Sequence, residues 1–588
     1  MPTLALTDKG SLRLRCRFED RGIAKAIPGR RWNKKDKAWD FTATEDAYNQ
    51  IRASFPDLQV GAPVVAFFAE IRRRNGQAAQ LKRNGWADAQ PLEPMPIKTE
   101  AYGHQILAYN LGLTLPNIAF FMEQGTGKTL AGLAVSARRF IRREVFRVLV
   151  ICPAAAVAAW TRQAEQHVAI PIEARPIIGT PAKKEELLRG WWRDNLTLQM
   201  AVITYESAWR IVDWLRGWHP DLVICDESHH IKGPGNKQSR AAHAFNKSAA
   251  YKMILTGTPT AKNAFDFYSQ YKFLDPSILG TNQTAVRIGY GIRESDLIRL
   301  RAMRAGAQLG LDGLPVGLNI NPHLDDKWVL HPDKEDEFLR KIHSIAFVVK
   351  KSELDELGLP ERMEPPHFPP TLCQLEPSAR KLYNSLKYDS VAELESGAEI
   401  IADNVLARMT RLSQLCGGYL PGADGVPEQV SRAKMDVLED LIENITYQEE
   451  KAVIFCHYLP ELTGIQEILT KLGIGYVRND GSVPVARRGE LEDRFQSDPR
   501  IQVFLGQTGA SKESLTLTAA RYCILYSYDY RYIDYAQVKD RIHRIGQQRT
   551  CFFYHLVCEN TVDEKVVETL MERKNIADVC LDWRRFLA

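Results

Sequence analysis

Apolar residues along this chain gather into short unbroken runs, and each run stops abruptly at polar or glycine-rich residues. Ile118 to Met122 reads IAFFM, Val148 onward reads VLVIC, Leu222 to Cys225 reads LVIC, and Lys252 onward reads KMIL. Runs of four to six apolar residues without alternation predict strands buried on both faces, the signature of a parallel sheet covered by helices. Helical periodicity fills the intervals, as in KTLAGLAVSARRFI after the first run and at Val562, Val566, Val567 and Leu570 near the end. The longest apolar stretch, Val148 to Trp160, is interrupted by Pro153 and falls short of a membrane span. The first residues hold no apolar run of signal-peptide length, so secretion is not expected.

Composition adds little to this picture until charge is placed along the chain. The 588 residues leave room for three or four domains at about 150 residues each. An apolar fraction of 45% with 25% charged residues excludes a collagen-like or largely disordered chain. Ten cysteines stand singly, without the paired spacing of zinc or redox motifs, which predicts reduced buried thiols and a cytoplasmic setting. Residues 1 to 100 hold 18 Lys and Arg against 12 Asp and Glu, so this end is basic while the remainder of the +5 chain is near neutral. A basic appendage is either a nucleic-acid footprint or a solubilising surface.

The candidate chemistry begins with EQGTGKT, which follows the first strand and opens a helix. In that context Gly125, Thr126 and Gly127 form a phosphate cradle, Lys128 reaches the β and γ phosphates of ATP, and Thr129 offers a hydroxyl to Mg²⁺. The strict pattern has a further glycine where Met122 stands, so the shorter form of the loop is present. The strand LVIC delivers Asp226 and Glu227; at a strand end Asp226 suits Mg²⁺ and Glu227 suits activation of water. His229 and His230 lack metal-ligand partners at a useful spacing. Thr256 and Thr258 flank Gly257 in a turn able to touch either a γ-phosphate or a nucleic-acid backbone. QVKDRIHRIGQQR then carries Arg541, Arg544 and Arg549; if helical, the first two share one face, and read alone the run is equally a solvated basic surface.

Taken in order, these strings resemble superfamily 2 helicases, and more narrowly the Swi/Snf-type ATPases that translocate on duplex DNA. The strongest match is Q-x-x-DR-x-HRIGQ at Gln537 to Gln547, joined by HQILAYNLGL, VITYESAW, DESHHIKGPGNKQS and RNDGSVPVARRGELEDRF. The resemblance implies that Gln105 reads adenine, that Gln537 contributes to the nucleotide site, and that Arg541 and Arg544 are arginine fingers. It also implies nucleic-acid contacts at Thr204, Lys232, Thr258, Gly481, Ser482 and Thr516. At Ser511 to Ser514 the chain departs from the family's glycine-rich run. The implied architecture is α/β: two RecA-like lobes at 96–276 and 431–588, a linker with helical protrusions at 277–430, and a small basic α/β accessory domain at 1–95. The C-terminal helix is expected to brace the first lobe, and residues 281–330 stay unassigned.

IAKAIPGRRWNKKDKAWDF in the first segment resembles the HARP domain found beside this motor in annealing helicases. Trp32, Trp39 and Phe41 fit the core of such a module better than base stacking, while Lys34, Lys35 and Lys37 suit phosphates. The function so implied is an ATP-dependent translocase on duplex or branched DNA, working as a monomeric motor that anneals or remodels strands. A strand-separating helicase on DNA or RNA and an ATP-gated DNA-binding scaffold are the alternatives. No membrane partner is expected.

Overall fold

The computed structural model describes residues 1–8, 10–260, 263–304, 327–354, 360, 362–364, 368–395, 402–422, 424–511, 515–544 and 546–580. The apolar runs become the central strands of two parallel sheets. In the first, the order is Ala346–Val349, Asn117–Met122, Tyr251–Leu255, Leu222–Asp226, Arg147–Cys152, Leu198–Thr204, Ile172–Pro176. Every neighbouring pair is parallel. Helices cover both faces, so the central strands are buried along their length, which is why their sequences show no alternation. The second sheet runs Arg362–Met363, Cys551–Cys558, Tyr522–Leu525, Ala452–Cys456, Val503–Gln507, Tyr476–Asn479, with Thr371–Cys373 also paired to the last long strand. Two α/β lobes are thus present, as the sequence pattern implies.

The stretch between residues 277 and 430 is more than the expected linker. Ala346–Val349 lies beside the strand that precedes the phosphate loop, with Ala346 opposite Ala119 and Val349 opposite Met122. Arg362–Met363 and Thr371–Cys373 enter the second sheet. The helices Pro377–Glu395 and Ala402–Cys416 send Ala379, Tyr383, Leu412 and Leu415 into the second core. One connection therefore belongs to both lobes. Within the segment left unassigned by sequence, Gly291–Arg293 pairs antiparallel with Trp328–Leu330.

A third core lies at the N-terminus under a five-stranded sheet of order Arg31–Asn33, Ala38–Thr42, Ser11–Arg15, Thr3–Leu6, Gln59–Val60. Trp39 and Phe41 are buried in it with Leu12 and Tyr48, and Trp32 packs at its margin. Lys34, Lys35 and Lys37 stand exposed on the tight hairpin between the first two strands. The helix Ala62–Asn84 leaves this core through Val64 and Phe68, then buries Ala78 in the first lobe. Its Lys82 ammonium donates to the His343 carbonyl at 2.6 Å. The division placed at residue 95 consequently falls beyond a helix that fastens the small module to the first lobe.

The C-terminal helix departs from its expected position. Val562, Val566, Val567 and Leu570 all pack into the core of the second lobe and not across the first. Its first turn is anchored by the Tyr383 hydroxyl, which accepts from Val562 N at 2.7 Å, and by Asp563, which meets the buried Lys434 ammonium at 2.6 Å. Cys416, Cys558 and Asp563 form the one group of metal-ligating side chains among the described residues, and the Lys434 ammonium already supplies the positive charge beside it. Among the described residues no helix is long and apolar enough to cross a membrane.

Removing one partner of a buried ion pair strands the other charge in a dry core, a loss of about 3–5 kcal/mol. Asp563→Ala is therefore expected to lower the melting temperature of the second lobe sharply. The double change Lys434→Met with Asp563→Leu, which leaves no charge behind, should recover most of the loss in the same thermal melt.

Candidate active site

The parallel strands of each sheet end on the same side, and there the candidate residues collect. After Met122 the chain turns through Gly125 and Gly127, whose φ angles of +82° and +88° lie in the left-handed region that L side chains avoid. The helix Lys128–Ile141 starts at once, so its free N–H groups and its dipole face the space above the loop. Thr126 is buried, and its hydroxyl donates to Glu123 O at 2.7 Å. Thr129 sits in the first turn of that helix, half-buried.

Neighbours press on this loop from three directions. From behind, Gln105 Nε2 donates to Thr126 O at 3.1 Å and His104 Nε2 pairs with the same carbonyl at 2.8 Å. A Cβ on Gly127 would fall on the Gln105 amide. Gln105 Oε1 accepts from Tyr102 N at 3.1 Å, so the residue expected to read adenine braces the loop and keeps one N–H to spare. From the side, Gly257 lies so near that an added Cβ would come within 3.1 Å of Glu123 Cα. Across the cleft stands Arg544, whose Cβ would lie 3.0 Å from one placed on Gly125.

Asp226 and Glu227 close the strand Leu222–Asp226. Trp160 Nε1 donates to Asp226 Oδ2 at 2.8 Å and Glu227 N donates to Asp226 Oδ1 at 3.0 Å. Burial together with the adjacent Glu227 charge nonetheless pushes the Asp226 carboxyl up to about 6. Glu227 goes the other way: burial opposes its charge, but His229 and Lys128 outweigh burial and hold it down to about 2. His229 Nδ1 lies 3.3 Å from Glu227 Oε2, Thr256 Oγ1 donates to the same oxygen at 3.1 Å, and Gln124 Nε2 donates to Oε1 at 3.2 Å. His229 thus lies against the carboxylate, while His230 stacks on Tyr205. Glu227 itself adopts φ +47°, a strained conformation for a residue with a side chain.

The arginine stretch is not one helix. The helix Tyr532–Lys539 ends at the third residue of the stretch, and Asp540, Arg541 and Ile542 lie in a turn. The two arginines still converge: Arg541 and Arg544 each donate through one terminal nitrogen to Leu515 O, at 3.2 and 3.0 Å. Arg541 also donates to Gln537 O at 2.8 Å. Arg549 departs from the pair and binds Glu450 at the surface. Gln537 is buried in the second lobe, and neither atom of its amide has a hydrogen-bond partner among the described residues. Thr258 Oγ1 and Gln124 Oε1 are likewise buried and unpartnered in the first lobe. Buried polar atoms of this kind are ordinarily satisfied by protein, ordered water or a ligand.

The residues singled out for nucleic acid follow strand ends in both lobes. Thr204 caps a one-turn helix by accepting from Ser207 N at 3.2 Å, and Lys232 follows the turn Ser228–Ile231. Thr258 N donates to Thr256 Oγ1 at 3.1 Å. Gly481 N donates to Gln507 Oε1 at 3.2 Å, Ser482 binds Asp480 through N and Oγ, and Thr516 N donates to Glu492 Oε1 at 3.0 Å. Of the departure at Ser511 to Ser514, only Ser511 lies within the described residues; it is buried and accepts from Asn479 Nδ2 at 2.9 Å. Sequence reasoning passed over Trp160, Glu123 and Lys351. Trp160 looked like the end of an apolar run, and Lys351 like one more surface lysine in KKSE.

Residues 102–418 match the SNF2-related domain, and residues 433–546 match the Helicase conserved C-terminal domain. The chain is similar to the ATP-dependent helicase fft2 of Schizosaccharomyces pombe, with 23% identity covering 78% of this chain and 39% of that protein. It is similar to the DNA repair and recombination protein RAD54B of Gallus gallus, with 24% identity covering 78% and 51%. The chain thus spans about half or less of the length of these relatives. Among solved structures it is similar to the Sulfolobus solfataricus SWI2/SNF2 ATPase core in complex with dsDNA, at 20% identity over 84% of this chain and 95% of that one, with a TM-score of 0.37.

Gly127→Ala places a methyl on the Gln105 amide in a backbone conformation that disfavours it, and strain of about 1–3 kcal/mol corresponds to a loss of roughly fivefold or more. Titration with a fluorescent ATP analogue is expected to show at least that weakening of affinity, with the melting temperature little changed.

Proposed function

The chain belongs to the SNF2-related family, and from that premise we propose that it is a DNA-dependent ATPase which turns hydrolysis into movement along duplex DNA. The observation that carries this reading is the contact of Arg544 with Gly125, which brings the arginine pair of one lobe to the phosphate loop of the other. The loop N–H groups and Lys128 hold the β and γ phosphates. Asp226 offers a carboxylate and Thr129 a hydroxyl, an all-oxygen donor pair that fits Mg²⁺, and the bonds from Trp160 and Glu227 N orient that carboxylate as outer-shell partners do. Bound Mg²⁺ would neutralise charge on the β and γ phosphates.

Glu227 remains ionised in a buried site and so suits the water that attacks the γ phosphorus. As the new P–O bond forms, the bond to the β–γ bridging oxygen breaks, ADP leaves, and the water proton passes to Glu227. Arg541 and Arg544 release Leu515 O and turn to the charge spreading over the γ-phosphate. Gln105 and Gln537 complete the nucleotide site, and the orphaned Gln537 amide supports that part. Thr204, Lys232, Thr258, Gly481, Ser482 and Thr516 hold the DNA backbone from two lobes, so opening and closing the cleft moves one set of contacts relative to the other. Both sides of the site come from one chain, and a monomer suffices. The exposed lysine hairpin of the N-terminal module adds phosphate contacts that favour branched DNA, on which the motor anneals or remodels strands.

An arginine finger is worth roughly 10³ to 10⁵ in turnover. Arg541→Ala and Arg544→Ala are each expected to abolish DNA-stimulated phosphate release while binding of an ATP analogue persists. Stimulation of the unaltered protein by duplex DNA should fall steeply with added salt, as phosphate contacts do; no stimulation at any ionic strength would overturn the assignment. Lys34, Lys35 and Lys37 changed together to Glu should lower stimulation by forked DNA more than by plain duplex, and equal loss on both would remove the hairpin from substrate choice.

A further inference from the structure

We propose that Lys351 is a positioning residue that ties the phosphate loop to the arginine turn and holds the arginines at the nucleotide. The proposal rests on reading Arg541 and Arg544 as the groups that act on the γ-phosphate. Lys351 follows the strand Ala346–Val349, which runs beside the phosphate-loop strand. Its backbone N–H donates to Glu123 Oε2 at 2.9 Å, and Glu123 N donates to Val349 O at 3.0 Å. Glu123 O in turn accepts from the Thr126 hydroxyl inside the loop. The main chain of Lys351 is therefore fastened to the root of the phosphate cradle.

Its side chain crosses to the other lobe. The ammonium donates to Asp540 Oδ1 at 2.8 Å and to His543 O at 2.6 Å. Asp540 immediately precedes Arg541 and His543 immediately precedes Arg544, so a single ammonium grips the chain ahead of each arginine. The Lys351 side chain is only 3% exposed, which separates this pair from the surface ion pairs that contribute little. A compact ammonium with three rotatable donors fits a carboxylate and a carbonyl that do not lie in one plane.

The same connection grips the turn elsewhere: His543 Nε2 pairs with Pro360 O at 2.8 Å, Arg362 lies 3.6 Å from Asp540, and Lys539 meets Glu364 at 2.6 Å. Those contacts hold the second lobe to the connection. Lys351 also donates its backbone N–H to Glu123, and so converts seating of the connection into the approach of Arg544 to Gly125. Without it the arginines stay on their lobe but lose their register against the phosphates.

The test uses the full chain and compares ATP turnover on saturating duplex DNA for the unaltered protein, Lys351→Met, Lys351→Arg, Asp540→Asn, the Lys351→Met/Asp540→Asn double variant and Arg544→Ala. Misplacement of a group by about 1 Å costs on the order of 10²-fold, so Lys351→Met should lower kcat by that order while affinities for an ATP analogue and for DNA stay within about threefold. Lys351→Arg should keep more turnover than Lys351→Met, and the double variant should lose less than the product of the two single losses, because the two changes share one ion pair. Normal kcat in Lys351→Met, equal loss in kcat and in both affinities, or multiplying losses in the double variant would each overturn the proposal. If thermal melting shows that Lys351→Met does not fold, the near-isosteric Asp540→Asn decides: reduced kcat at unchanged affinities supports the proposal, and unchanged kcat overturns it. Full turnover in Arg544→Ala would instead remove the arginine assignment itself, whereas an inactive Arg544→Ala beside a fully active Lys351→Met removes Lys351 alone.

Discussion

The five residues between Met122 and Lys128 have no room for side chains on the faces that matter, and the rest of the molecule is arranged around that constraint. Gln105 occupies the space over Gly127, Gly257 lies on Glu123 and Gln124, and Arg544 stands over Gly125. Each neighbour comes from a different part of the chain, so the loop proposed to hold phosphates is also the place where three segments are held in register. The left-handed φ angles at Gly125 and Gly127 keep the loop N–H groups turned outward under that pressure.

Charge in the closed cleft follows from the same crowding. Two adjacent buried carboxylates cannot be equally comfortable as anions, and their surroundings drive them apart: Asp226 is pushed up while Glu227 is held down. Glu227 draws on His229, Thr256, Gln124 and Lys128, which arise on separate elements. A left-handed backbone at Glu227 is the local cost of aiming its carboxylate at all of them. On the other side, both arginines rest on a single carbonyl, Leu515 O, one residue from Thr516. The position proposed for DNA and the groups proposed for the γ-phosphate are thus neighbours in space though distant in the chain.

The connection between the lobes matters as much as either lobe. It gives Ala346–Val349 to one sheet and Arg362–Met363 to the other, and between them places Lys351 in the cleft. The two sheets are thus tied to one segment whose ends are fixed by strand pairing. The helix Ala62–Asn84 fastens the N-terminal module in a comparable way, with Phe68 in one core and Ala78 in another.

The strands of both lobes were legible because burial on two faces leaves an unbroken apolar run, and such runs as IAFFM and LVIC need no partner to be read. The phosphate loop and the paired carboxylates were legible because their chemistry depends on residues adjacent in sequence. The glycine-rich loop before Thr129, the adjacent carboxylates Asp226 and Glu227, and the basic composition around Arg541 and Arg544 were therefore readable in the sequence itself, whereas the helix considered for the arginines ends at Lys539 in the structure. Tertiary structure alone decided that Leu570 packs into the second lobe, that Gln105 braces the loop, that Trp160 binds Asp226, and that Lys351 meets Asp540 from 189 positions away. The physical reason is that strand period and loop chemistry are local properties of the backbone. A buried ion pair or an indole–carboxylate bond acquires its meaning only when folding excludes water between residues far apart in the chain.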